Sequence, residues 1–153
     1  MDLLEEELSS VQPTGPTLVT IGVYDGVHLG HQHLLRQLMA LAAERSLTPC
    51  VLTFKNHPLT VLSPGTKIPL LSTSKEKGKL LRAFGIPVVA EISFTPEVAL
   101  LTARQFLTLL SRQAGLKTRG LVVGPDFVMG HNREGNVSML RRLGKEMGLM
   151  VDV

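Results

Sequence analysis

Hydrophobic positions along the chain follow two patterns, short continuous apolar runs and longer segments in which apolar residues recur every three or four positions. Short β-branched apolar runs are typical of buried strands, whereas the longer pattern is typical of amphipathic helices. The short runs predict five strands, at residues 17–24, 49–54, 88–92, 121–123 and 149–153. The periodic segments predict helices between them, at residues 31–46, 72–84, 101–113 and 137–147.

This alternation of strand and helix predicts an α/β fold, a Rossmann-like parallel sheet of about five strands with helices on both faces. Ligands of such sheets bind beyond the carboxyl ends of the strands. We therefore expect the loops that follow the first, second and fourth strands to meet at one edge, which we call the rim. Residues 1–16 end in a turn rich in proline and glycine and are predicted to form an N-terminal arm, and residues 17–153 one domain.

Composition narrows the class of protein. The 153 residues are 44% hydrophobic and 19% charged, and they include no apolar run that approaches the ~20 residues of a membrane span. The single cysteine, Cys50, lies in an apolar run, which predicts a buried thiol and a cytoplasmic protein. The net charge of +3 comes from scattered lysines and arginines. We expect small anionic substrates as partners, with no nucleic acid and no membrane.

The loop after the first strand carries the strongest candidate chemistry. Between that strand and the next helix lie Gly22, Gly26 and Gly30 together with His28 and His31. Such a join directs backbone N–H groups and the positive end of a helix dipole to one point, which suits a phosphate. Two imidazoles three residues apart share a helix face and can donate hydrogen bonds to phosphate oxygens.

The glycines are four residues apart and do not form the G-x-G-x-x-G fingerprint of dinucleotide-binding proteins. The string from Gly22 to His31, G-V-Y-D-G-V-H-L-G-H, instead resembles the H-x-G-H signature of the nucleotidyltransferases. In its full length it is similar to one branch of them, the FMN adenylyltransferase module of bacterial FAD synthetases. Tyr24 stands where that branch usually has phenylalanine.

Two further segments carry the resemblance. T-F-K-N-H-P, from Thr53 to Pro58, resembles the family's T-F-x-P-H-P, with Asn56 in place of proline. G-P-D-F-V-M-G, from Gly124 to Gly130, is similar to G-x-[DN]-F-x-F-G, with Met129 in place of the second phenylalanine. The resemblance covers about residues 17–153, and it implies the nucleotidyltransferase version of the predicted fold.

The resemblance implies transfer of AMP from ATP to FMN, which gives FAD and pyrophosphate, with Mg²⁺ arriving on ATP. Because a phosphomonoester has its second pKa near 6, FMN needs no general base, and positioning and electrostatics carry the catalysis. By resemblance the catalytic residues are His28, His31 and Asp126. The nucleotide-binding residues are Gly22, Tyr24, Asp25, Gly26, His28, Gly30, His31 and Gly124. The flavin-binding residues are Phe54, His57, Leu62, Phe106 and Met129, and we expect no metal site built by the protein.

Several alternatives stay open at this stage. His57 either lines the site or fixes its loop, Asp126 either forms a turn or has a polar role near the phosphates, and Phe54, Phe106 and Met129 are equally suited to a core. The chain as a whole also fits a nucleotidyltransferase with another phosphate acceptor, or a nucleotide- or flavin-binding domain without catalysis.

Two features of the family are not matched in these 153 residues. Bacterial members usually carry a riboflavin kinase module after this domain, and their adenylyltransferase domain continues to an S-S-T-x-x-R segment that closes over the triphosphate. We therefore expect a C-terminally incomplete domain, a kinase module in the full-length protein, and very slow formation of FAD, or none, by these residues alone.

Overall fold

The computed structural model describes residues 3–11, 13, 15–24, 29–63, 65, 74–112 and 116–153. Its strands are β1 (Thr17–Ile21), β2 (Thr48–Phe54), β3 (Val88–Ile92), β4 (Thr118–Val122), β5 (Val128–Met129), β6 (Gly135–Asn136) and β7 (Met150–Asp152). Its helices are α1 (Leu3–Ser9), α2 (Leu29–Glu44), α3 (Leu59–Leu62), α4 (Ser74–Phe84), α5 (Pro96–Ala99), α6 (Ala103–Arg112) and α7 (Val137–Met147). A 3₁₀ turn occupies His131–Arg133.

Five strands form one sheet in the order β3-β2-β1-β4-β7, and every neighbouring pair is parallel. The predicted Rossmann-like parallel sheet is thus confirmed. The chain moves outwards from β1 to β3 on one side and then returns to β4 on the other side of β1. This reversal leaves a crevice at the carboxyl ends of β1 and β4, the usual ligand site in such sheets. β5 and β6 form a separate antiparallel ribbon.

Alternate residues of the central strands enter two apolar clusters, one on each face. Leu18, Val51 and Val122 pack with α2 and α4, through Leu35, Leu38, Ala42 and Leu81. Their chain neighbours Val19, Leu52 and Leu121 pack with α1, α6 and α7, through Leu8, Leu107, Leu110 and Leu140. Because a strand presents successive side chains to opposite faces, apolar residues at every position require helices on both faces. Cys50 is fully buried in the second of these clusters, as predicted.

Several predicted boundaries were wrong by a few residues. β1 ends at Ile21 rather than at residue 24, since Tyr24 has a left-handed φ of 53° that no strand accommodates. α2 runs from Leu29 to Glu44 rather than from 31 to 46. It ends early because Ser46 takes φ 57° and Leu47 N–H returns to Ala42 O over 2.8 Å.

The helix predicted at residues 101–113 begins at Ala103 because Thr102 caps it. Its hydroxyl accepts from Gln105 N–H, and Gln105 Oε1 accepts from Thr102 N–H, which is a capping box. β4 begins at Thr118, earlier than predicted, and the loop expected after residue 55 contains the short helix α3. The region just before α4, including Ser72 and Thr73, lies outside the described residues.

The N-terminal helix α1 packs against the sheet. Leu4 and Leu8 belong to the same apolar cluster as β2 and β3. The predicted division into an arm at 1–16 and a domain at 17–153 remains a prediction, although this packing joins α1 to the core. Within the described ranges, no helix combines the length and the apolar character required to cross a membrane.

Candidate active site

The crevice at the carboxyl ends of the strands is bordered by the loops that the sequence singled out. The loop after β1 carries Gly22 and Tyr24 and leads into α2, whose first turn contains Gly30 and His31. The loop after β4 carries Gly124 and Asp126, and it lies next to the first loop because β4 pairs with β1. The loop after β2 lies on the other side of β1. Asp25, Gly26 and His28 lie outside the described residues, so their predicted roles remain predictions.

Tyr24 folds back beneath the loop that bears it. Its side chain is 1% exposed, and its hydroxyl shares a hydrogen bond of 2.9 Å with the Thr20 hydroxyl. Burial raises the pKa of Tyr24 to about 12, although the bond to Thr20 acts in the opposite direction. A Cβ atom at Gly22 would lie 2.7 Å from the Tyr24 ring. Only glycine at 22 therefore leaves room for this ring position.

His31 stands in the first turn of α2 and is half-buried. Its ring lies 4.7 Å from the Tyr24 ring, centroid to centroid, at an interplanar angle of 50°. Tyr24 therefore packs against an imidazole at a helix N-terminus. This location combines the imidazole with the positive end of a 16-residue helix, an arrangement suited to a phosphate group.

A cation that the sequence motifs did not indicate, Lys77 of α4, lies at this edge. Its side chain is buried, and its Nζ donates 2.9 Å hydrogen bonds to Val23 O and to Phe54 O. Val23 O also accepts from the Thr53 hydroxyl at 2.9 Å. A usable signal was present, since Lys77 lies one helical turn from the buried Leu81 and thus occupies the apolar face of its helix.

The loop after β2 is fixed by its own polar side chains. His57 Nδ1 accepts from Leu59 N–H at 3.1 Å, which places the ring at the start of α3. Asn56, which stands where the family has proline, binds both polar backbone atoms of Phe94 at 2.9 Å. Asn56 thereby joins the loop after β2 to the segment after β3, a role that its position in the motif did not indicate.

The predicted flavin residues have different environments. Phe54 is half-buried and meets Phe94 edge-on at 5.6 Å, and Leu62 is 57% exposed on α3. Met129 is half-buried in β5. Phe106 is only 6% exposed and packs within the core beside Leu107 and Leu110. The structure thus places Phe54 and Leu62 on the β2 side, Met129 on the β4 side and Phe106 in the core.

The segment after β4 is held mainly through its backbone. β5 and β6 pair, and Gly130 and Gly135 let this ribbon approach α6, since a Cβ atom at either would lie 2.8 Å from an atom of Ala103. Glu134 Oε1 accepts from Ala103 N–H at 2.8 Å, and His131 N–H donates to Leu101 O at 2.9 Å. Asp126 itself is exposed, so its carboxylate faces the solvent at this edge.

At the outer end of the loop after β2, Lys55 forms an ion pair with Glu7 of α1, Nζ to Oε2 at 2.7 Å. Glu7 also accepts from the backbone N–H and the hydroxyl of Ser93, at 2.8 and 3.0 Å. Burial by itself would raise the pKa of Glu7, but the bonds from Lys55 and Ser93 outweigh it and lower that pKa below its usual value. One carboxylate of α1 therefore fixes the loops after β2 and β3.

A histidine at the N-terminus of a helix is an arrangement that suits electrostatic stabilisation of phosphates. Among the described residues, no group of three or more histidine, cysteine, aspartate or glutamate side chains is placed to hold a metal ion. The exposed Asp126 carboxylate is an oxygen ligand of the kind that Mg²⁺ prefers, and Mg²⁺ commonly takes one or two carboxylates together with substrate phosphates. The site thus fits a magnesium ion that arrives on a nucleotide.

The parallel sheet, its reversal beside β1 and the glycine-rich entry to α2 define an α/β domain of the nucleotide-binding type. Residues 11–153 match the family model for FAD synthetase. The chain therefore belongs to the FAD synthetase family.

Curated relatives agree with this assignment. The chain is 34% identical over 140 residues to a bifunctional riboflavin kinase/FMN adenylyltransferase of Escherichia coli (strain K12), covering 91% of this chain and 44% of that protein. It is 30% identical over 146 residues to an FAD synthetase of Listeria monocytogenes, covering 95% of this chain and 58% of the relative. The chain thus spans about half the length of the relatives that it matches.

The fold is shared with solved structures. A Streptococcus pneumoniae protein described as a macrolide-efflux protein superposes with a TM-score of 0.80 over 94% of this chain and 47% of the other. At 22% sequence identity this likeness shows the fold alone.

Proposed function

We propose that this domain transfers AMP from ATP to FMN. The observation that carries the proposal is the position of His31, at the N-terminus of α2 and against Tyr24, beside the crevice between β1 and β4 in a member of the FAD synthetase family. An FMN phosphate oxygen forms a bond to the α-phosphorus of ATP, and the bond from that phosphorus to the bridging oxygen breaks, releasing pyrophosphate. FMN supplies an ionised phosphate, so the protein has no proton to remove.

In this proposal, the loop after β1 holds the triphosphate. His31, with His28, donates hydrogen bonds to phosphate oxygens and offsets the charge that develops on them. Gly22 and Tyr24 set the backbone of the loop, and Asp25, Gly26, Gly30 and Gly124 complete the nucleotide site. Asp126 would offer a carboxylate oxygen to the magnesium ion that ATP brings, and that ion would neutralise phosphate charge.

The flavin lies against side chains on either side of this loop. Phe54, His57 and Leu62 contribute from the β2 side, and Met129 contributes from the ribbon after β4. A thioether makes favourable contacts with the edge of an aromatic ring, so methionine can serve where the family has phenylalanine. Phe106, buried in the core, supports this site through its packing. A riboflavin kinase module in the full-length protein and a cytoplasmic location remain predictions.

Ligand binding tests the proposal directly. FMN fluorescence is titrated with protein, with and without Mg²⁺ and α,β-methylene-ATP, whose α–β linkage cannot be broken. We expect both ligands to bind to these residues, and the full-length protein to form FAD, detectable by chromatography, from FMN and ATP. Binding of the ATP analogue without FMN would indicate another phosphate acceptor, and binding of both ligands without formation of FAD by the full-length protein would favour a non-catalytic domain. Binding of neither ligand would overturn the proposal.

A further inference from the structure

Lys77 joins two loops that the sequence assigns to different substrates. Its ammonium group donates to Val23 O in the stretch from Gly22 to His31, which we call the nucleotide loop. It also donates to Phe54 O in the stretch from Thr53 to Pro58, which we call the flavin segment. Both bonds are 2.9 Å long, and Lys77 is only 6% exposed. One side chain of α4 thus bonds to the backbone of both loops.

Burial of an ammonium group is costly because the charge loses its water, and lysine is rarely found in this state. The bonds at Lys77 replace part of that water with carbonyl dipoles. An ammonium group carries three N–H donors in a compact arrangement, so it can bridge two backbone oxygens at once. The Thr53 hydroxyl strengthens this link between the two segments, since Thr53, the residue before Phe54 in β2, also donates to the carbonyl of Val23.

The two bridged oxygens lie beyond the last pair between β1 and β2, which is Ile21 with Leu52. The ladder is continued by one further bond, from Gly22 N–H to Leu52 O at 3.1 Å. Val23 then follows the end of β1, whereas β2 continues to Phe54 beside β3, and Lys77 links the two segments where they no longer pair with each other. A shift of Val23 therefore displaces the ammonium group that also bonds to Phe54 O, and a shift of Phe54 acts on Val23 in the same way.

We propose that Lys77 is a positioning residue that couples the nucleotide loop to the flavin segment, so that occupation of one favours occupation of the other. This inference rests on the proposed function for the identity of the two ligands. The coupling acts through a backbone junction, and Lys77 itself need not touch either substrate. Coupling between two sites is reciprocal and is measured as the factor by which one ligand changes the affinity for the other.

The experiment measures this factor in the wild-type chain and in Lys77→Met, which keeps the apolar stem and removes the donors. FMN dissociation constants are determined by fluorescence, alone and with saturating Mg²⁺ and α,β-methylene-ATP. We expect the nucleotide to tighten FMN binding roughly fivefold or more in the wild type, within the usual range for coupled sites. In Lys77→Met the factor should fall to about one, and each ligand alone should bind about tenfold more weakly, as expected when a charge-assisted hydrogen bond is lost.

Two variants of the same helix serve as controls. Lys79→Met removes an exposed lysine and should leave the coupling factor at its wild-type value. Leu81→Ala removes a fully buried side chain one turn from Lys77 and should lower the melting temperature while preserving the coupling. If Lys77 were only structural, Lys77→Met would behave like Leu81→Ala. That result, or independent binding of the two ligands in the wild type, would overturn the inference.

Two further measurements cover the remaining cases. Should Lys77→Met not fold, Lys77→Gln keeps an N–H donor without a buried charge, and its coupling factor is expected to lie between those of Lys77→Met and the wild type. Should the wild type bind neither ligand, the proposed function fails, and amide hydrogen exchange still tests the junction. Peptides spanning residues 20–24 and 53–58 should both exchange faster in Lys77→Met than in Lys79→Met, and unchanged exchange would overturn the role of Lys77.

Discussion

The two halves of the rim are built in different ways. The loops after β1, β2 and β3 are joined by side chains, with Lys77 bridging the first two loops and Asn56 and Glu7 joining the second to the third. The segment after β4 is held by the β5–β6 ribbon and by the close approach of two glycines to Ala103. The first half therefore depends on buried polar groups, and the second on a compact backbone.

This difference corresponds to what each half offers a ligand. The buried Lys77 fixes the position of the loop that contains Tyr24, next to His31, and electrostatic catalysis requires such fixed positions. Asp126 and Arg133, in the segment after β4, are exposed. We infer that the bridged half fixes where the phosphates react, and that side chains of both halves hold the acceptor beside them.

The largest effect is expected at His31, in the bridged half. If its imidazole offsets charge developing on the α-phosphate, His31→Ala should lower kcat by roughly 10²–10³ and change KM for ATP much less. His33→Ala, on an exposed position of the same helix, should retain the wild-type rate. Steady-state FAD formation by full-length protein provides the measurement. A rise in KM without a fall in kcat would assign His31 to ground-state binding.

Glycines of the two halves should respond differently to alanine. Gly22→Ala forces a Cβ atom to within 2.7 Å of the Tyr24 ring, and we expect it to lower the free energy of unfolding by about 1–3 kcal/mol, as in other overpacked sites. Gly124→Ala meets no atom within 4 Å and should change stability by less than about 0.5 kcal/mol. Urea denaturation of both variants checks this, and equal losses would contradict the Tyr24 position.

The ribbon half is tested at Met129. Met129→Lys should weaken FMN binding about tenfold, because a thioether contact is lost and a charge must be desolvated, while binding of the ATP analogue stays within about twofold. Met147→Lys, in the last turn of α7, introduces the same charge at another half-buried position and should leave both affinities unchanged. If Met129→Lys weakened both ligands alike, the assignment of Met129 to the flavin site would be wrong.

The smallest effect concerns Glu7, at the outer end of the bridged half. Because its folded-state pKa is lowered, its carboxylate stabilises the fold fully above the unfolded-state pKa, near 4.3, and this contribution is lost as the pH falls through the folded-state pKa. Glu7→Gln should cost about 1 kcal/mol at pH 7, and this difference should shrink towards zero in acid. Denaturation curves at several pH values measure it, with the exposed Glu6→Gln as a control that should follow the wild type.

The sequence predicted strand and helix order better than it predicted the bonds at the rim. Hydrophobic periodicity located β3 and α7 at their observed residues, since packing alone determines those positions. It extended α2 past Glu44 because no proline or glycine marks the end, and Ser46 takes a left-handed conformation that usually belongs to glycine. Asn56 and Lys77 could not be assigned partners, since Phe94 lies 38 residues from Asn56, and Val23 lies 54 residues from Lys77.

What the sequence determined by itself is local: the alternation of apolar strands and amphipathic helices, and the glycine and histidine residues that form one loop. From these follow the parallel sheet and the edge at which ligands bind. Only the tertiary structure decided that Tyr24 is buried beneath Gly22 and against His31, and that a lysine of α4 links two loops. The physical reason is that a buried polar group requires partners wherever the fold supplies them, and the fold supplies them from residues distant along the chain.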